Sequence, residues 1–155
     1  MKRVSLNSIK HLDCIYCGER AAHRDHVIAY SYNSSNRKRT AKDYPCDEIV
    51  PACQECNLLL SNFYLPTIAE RAAYLAKTVT KRNKKVLESP DWAKEDIKEL
   101  GYGLRKNIQS MQFNRGILKD RIAHMENMSK NDTLTPTDYW DIVCERHGVA
   151  DPSEL

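Results

Sequence analysis

Two C-x-x-C pairs, Cys14/Cys17 in "CIYCG" and Cys53/Cys56 in "CQECN", constrain this chain more than any other feature. The N-terminal stretch "MKRVSLNSIKHLDC" carries charge but no apolar core, so no signal peptide is expected. No apolar run is long enough to cross a bilayer. The expected location is cytoplasmic, with no membrane partner, and there cysteines stay reduced. Paired thiols in that setting read as ligands of one tetrahedral zinc ion, because each tight turn delivers two sulfurs to the metal. A redox C-x-x-C would need a thioredoxin-like pattern, which is absent. Gly18 suits a turn that aims backbone N–H groups at the sulfurs. Cys46 and Cys144 stand alone and are expected to be packed or surface thiols.

The pairs lie 35 residues apart, more than a compact zinc ribbon needs, so other elements must fold between them. "RDHVIAYSY" (Arg24 to Tyr32) fits a short strand, "NSSNRKRTAKD" an exposed basic loop, and "DEIVPAC" a second short strand. "CNLLLSNFY" is expected to begin a helix with Asn57 at its start. The order is knuckle, strand, loop, strand, knuckle, helix. Residues 1–13 read as a loose lead-in.

After Pro66 the pattern turns helical. "TIAERAAYLAKTVTKRNKKVLES" opens with a capping box, Thr67 to Glu70, and Ile68, Ala72, Leu75, Val79 and Val86 mark an apolar face. A second segment is expected from Ser89 as N-cap and Pro90 at the first position, with Gly101 and Gly103 kinking or splitting it. A last short helix is capped by Thr135 and stopped by Gly148. At 155 residues and 41% apolar content the chain is an ordinary folded one. The expected class is α+β: a small zinc-stapled core over 1–64, a helical arm over 65–128, and a short helix and tail over 129–155.

The stretch "HRDHVIAY" carries the candidate chemistry. Asp25 and His26 alternate across the strand and so point to opposite faces. The Asp25 carboxylate and the Asn57 amide are oxygen donors suited to a hard cation, Mg²⁺ or Mn²⁺. His26, with a side chain that titrates near neutrality, can take a proton from a water attacking phosphorus. His23 shares a face with Asp25 and is expected to be a phosphate contact or an exposed polar residue more readily than a third ligand.

C-x-x-C, then Asp-His-Val-Ile, then "IVPAC" with C-x-x-C-N resembles the HNH endonucleases of the ββα-metal class, over roughly residues 14–62. The helical remainder resembles the tails of phage-type members. The resemblance implies a ββα-metal core, with Asp25 and Asn57 as ligands of a catalytic divalent ion and His26 as general base. It implies a DNA endonuclease or nickase, with DNA preferred over RNA on that ground alone. Three positions depart from the family pattern. Glu48 stands where an asparagine usually braces the loop, Ala29 replaces a frequent proline, and Leu60 replaces a frequent lysine.

Net charge is only +3, but basic residues cluster. Arg37, Lys38 and Arg39 lie in the loop between the strands. Lys77, Lys81, Arg82, Lys84 and Lys85 lie on the first arm helix at spacings that gather several on one face. Both clusters are candidate phosphate contacts for DNA. The expected partners are DNA and either a second copy or a phage or mobile-element complex. The rival expectation, prompted by Glu48 and Leu60, is a zinc-stabilised nucleic-acid-binding or adaptor module with a weakened or partner-dependent active site.

Overall fold

The computed structural model describes residues 3–27, 43–61 and 63–155. The elements run β1 (Arg3–Ser5), α1 (Leu6–Ile9), β2 (His23–His26), β3 (Asp43–Pro45), β4 (Ile49–Ala52), α2 (Gln54–Leu60), α3 (Ile68–Arg82), α4 (Lys84–Leu87), α5 (Lys94–Lys98), α6 (Tyr102–Ser129) and α7 (Pro136–His147), with a closing 3₁₀ turn at Pro152–Glu154. Two antiparallel strand pairs form, β1 with β3 and β2 with β4. This is a mixed α+β chain, dominated by helix. Among the described residues no helix is long and apolar enough to cross a membrane.

The strand pair that matters most is β2 with β4, in the register Asp25 opposite Val50 and His26 opposite Ile49. Strand β4 is buried along its whole length, covered by the packing around this two-stranded sheet and not by further strands. Helix α2 follows after one residue. Cys53 is its N-cap and accepts from the Cys56 amide, so the second knuckle and the helix start are the same turn.

Helix α3 begins as expected: the Thr67 hydroxyl accepts from the Glu70 amide and the Glu70 carboxylate accepts from the Thr67 amide. Its buried face is Ile68, Ala69, Arg71, Ala72, Leu75, Ala76 and Val79. That face packs on α6, whose Leu118 and Met125 join the same cluster. The four paired cysteines, Val27, Val50 and Leu60 belong to it as well. Arm and knuckles therefore share one continuous apolar core, and each side chain of leucine size buried there contributes about 1.5–3 kcal/mol. Leu60 is fully buried and fills this core.

A second cluster gathers Val4, Ile9, Leu12, Ala21, Cys46, Ile49, Trp140 and Val143. Residues 3–9 are thus a paired strand and a buried helical turn, not a loose lead-in; a three-residue strand is too short to show a period. The Trp140 indole N–H donates to the Ile49 carbonyl at 2.8 Å, pinning α7 to β4. Trp140→Phe is expected to cost about 1–3 kcal/mol in urea unfolding, because that carbonyl then lies buried without its indole donor. Trp92, by contrast, is 37% exposed.

Other boundaries differ from expectation for local reasons. Ser89 does not cap a helix ahead of it: its hydroxyl donates back to the Val86 carbonyl and ends α4. The next helix starts at Lys94 after Ala93. Gly101 caps α6, and Gly103 lies inside it, so α6 runs unbroken for 28 residues. The buried Arg115 of α6 donates to the Ser89 carbonyl and pairs with Asp91, tying α6 to the α4–α5 connection. Helix α7 matches expectation, with Thr135 and Asp138 as its capping box, Pro136 in its first turn and Gly148 left-handed at its end.

Candidate metal centre and strand site

The first knuckle is a tight hairpin between Asp13 and Arg20. The Gly18 amide donates to the Cys14 carbonyl at 2.9 Å, and Gly18 takes φ +78, a conformation glycine adopts without strain. The Ile15 amide donates to the Pro51 carbonyl at 3.0 Å, which lays this turn against β4. The second knuckle caps α2. Together they bring the sulfurs of Cys14, Cys17, Cys53 and Cys56 within 4.8 Å of one another, all buried.

The donor set fits zinc. A tetrahedral ion with ~2.3 Å bonds to sulfur sets its ligands ~3.8 Å apart, and Cys17 Sγ lies 3.7 Å from Cys53 Sγ. The thiols also perturb one another as a ligand set must. Hydrogen bonds, first from Cys14, lower Cys53 and bring Cys17 down to about 7. Cys14, facing Cys17, and Cys56, facing Cys14, are both pushed up. Some protons leave readily, but four thiolates cannot share this space without a cation among them.

Asp25 sits 3% exposed, and its environment is not that of an open ligand. Arg71 Nη2 donates to Asp25 Oδ1 at 2.5 Å and Arg71 Nε to Asp25 Oδ2 at 2.9 Å. The Tyr16 hydroxyl donates to Asp25 Oδ2 at 2.5 Å and accepts from Arg71 Nε at 3.1 Å. Arg71 Nη1 reaches the Val27 and Leu65 carbonyls. Burial, then the Asp25 charge, pushes the Tyr16 phenol well above its usual range. Arg71 is raised although its burial opposes this, because Tyr16 and Asp25 face it. As it stands, the Asp25 carboxylate is not an open donor for a divalent ion. The carboxylate already holds a guanidinium, whose positive charge would repel a second cation.

His26, the neighbour of Asp25, is half-buried. The adjoining Val27 amide donates to the Glu48 carbonyl at 2.9 Å, so the strand ends here are braced by the backbone of residue 48 whatever its side chain. Asn57 is half-buried in α2, three residues beyond the helix start and not at it. His23 is exposed at the first position of β2. Ala29 and the basic loop residues Arg37, Lys38 and Arg39 lie outside the described residues, as does the strand expected beyond Val27. Lys77, Lys81 and Arg82 are exposed on α3, whereas Lys84 and Lys85 belong to α4 beyond the break at Asn83. The cluster thus spans two helices, and Lys84 lies 3.8 Å from Glu88.

Sequence reasoning missed Arg71 and Tyr16. A signal for the first existed: Arg71 falls on the Ile68–Ala72–Leu75–Val79 stripe, and a charge on a buried stripe requires a buried partner. No protein-family model, curated protein or solved structure matches the chain.

Proposed function

We propose that this chain is an HNH-type DNA endonuclease or nickase, working at the β2–β4–α2 unit. The observation that carries the reading is the antiparallel pair β2–β4 running directly into α2 at a four-cysteine knuckle. That is the strand, strand, helix order the resemblance implies. His26 on β2 is the residue for accepting a proton from the attacking water. Asn57 on α2 is a second polar group for the phosphate side. Lys77, Lys81, Arg82, Lys84 and Lys85 supply exposed cations along the arm for the DNA backbone.

A second reading is favoured by one observation, the committed Asp25–Arg71 pair. On it the chain is a zinc-stabilised nucleic-acid-binding or adaptor module that does not hydrolyse DNA.

Supercoiled-plasmid nicking by zinc-loaded protein, with Mg²⁺, Mn²⁺ or no added ion, separates the two. The nuclease reading expects nicking that His26→Ala reduces by about 10²-fold or more while gel-shift binding is kept. Binding without nicking under every condition selects the second reading. A chain that neither nicks nor binds DNA overturns both. Binding itself should weaken with salt, and Lys77→Gln/Lys81→Gln should lower the slope of log K against log salt by about 1 to 2.

A further inference from the structure

The first zinc knuckle is clamped from outside by α6. His124 Nε2 lies 3.0 Å from the Ile15 carbonyl, inside the Cys14–Cys17 turn. A Cβ on Gly18 would come within 3.4 Å of the same imidazole, so helix and turn are in close contact. One turn earlier, Arg121 sets its guanidinium beside Cys17, within a groove of about 330 Å³ also lined by Glu19, Ile117 and Asp120. Arg121 Nη2 donates to Glu55 Oε2 at 2.6 Å, which anchors it to the first turn of α2. Its side chain is 15% exposed, and its Nε is buried with no hydrogen-bond partner among the described residues.

A zinc ion with four thiolates carries a net charge of minus two. Glu19 and Asp120, which line the groove with Cys17, add negative charge there. Among the described residues, Arg121 is the one lysine or arginine lining that groove. We propose that Arg121 is the charge partner of the zinc centre, donating to the Cys17 thiolate and making metal retention depend on the helical arm. Glu55 positions the guanidinium, and His124 holds the turn by its carbonyl. A group that neutralises a thiolate slows its protonation and its departure from the metal, as outer partners of metal ligands generally do. Cys17 faces this groove, which places its sulfur on the Arg121 side of the cluster.

The test is zinc release from the full-length protein into a chromogenic chelator, with the cobalt-substituted protein's thiolate-to-metal absorption recorded alongside. Arg121→Gln is expected to release zinc about tenfold faster or more and to shift the cobalt band. Arg121→Lys, which keeps the charge but loses the fork, should fall between. Lys106→Gln removes an exposed charge from the same helix and should release at the wild-type rate. Leu118→Ala loosens the α6 packing without touching charge, and serves as the control for general loosening. Wild-type release by Arg121→Gln overturns the proposal. So does equal acceleration by Leu118→Ala at matched melting temperature. If Arg121→Gln does not fold around zinc, the Arg121→Lys comparison decides by the same criteria.

Discussion

Arg71→Met is expected to destabilise the fold by about 3–5 kcal/mol, measured by chemical denaturation of the zinc-loaded protein. The substitution keeps most of the apolar stem but removes every donor that Asp25 has from α3. An aspartate 3% exposed then keeps only the Tyr16 hydroxyl, and an uncompensated buried charge costs about that amount. The Val27 and Leu65 carbonyls lose their donors as well. Arg71→Lys should recover only part of the loss, because an ammonium cannot form the two-pronged contact with Oδ1 and Oδ2. Asp25→Asn combined with Arg71→Met should cost less than Arg71→Met alone, since no ion is then left behind. A loss below about 1 kcal/mol for Arg71→Met would mean that Asp25 is not engaged in solution and is open to a metal after all. By the same reasoning, an Asp25→Ala variant added to the nicking assay would report on folding as much as on ligation.

Zinc removal should have the other large effect. Cys14, Cys17, Cys53 and Cys56 are members of the same buried cluster as α3 and α6, so an ion held by them would stand at the centre of the packing and not on an appendage. Structural zinc contributes on the order of 10 kcal/mol or more, which rivals the whole stability of a domain of about this size. Cys56→Ser, or chelation at neutral pH, is expected to abolish the cooperative melt and to shift Trp140 emission toward that of an exposed indole. Trp140 lies in the second cluster, so its response reports whether the loss spreads beyond the knuckles. Elemental analysis should give one zinc per wild-type chain. A Cys56→Ser protein that melts at the wild-type temperature with its zinc retained would remove the tetrahedral assignment.

What could be read from the chain was whatever local pattern determines. The two knuckles, the Thr67–Glu70 box, the Thr135 cap and the Gly148 stop each depend on residues within a few positions of one another. What could not be read depends on distant partners. Asp25 takes its meaning from Arg71, 46 positions on. Residues 3–5 become a strand only because residues 43–45 pair with them. Ser89 carries the signature of a helix start, yet the Val86 carbonyl behind it was the available acceptor. Leu60 ends α2 facing inward only because the arm completes the core that its side chain fills.

The ion pair also bears on how the strands find one another. In the observed register Asp25 lies opposite Val50 and turns inward to Arg71. Sliding β2 by one residue against β4 would exchange the two faces, turning the His26 imidazole toward the guanidinium and Asp25 away from it. With four residues per strand, hydrogen bonds alone discriminate poorly between the two alignments. A buried cation on the neighbouring helix pairs with Asp25 in only one of them, so the Asp25–Arg71 contact favours the observed alignment over that slip.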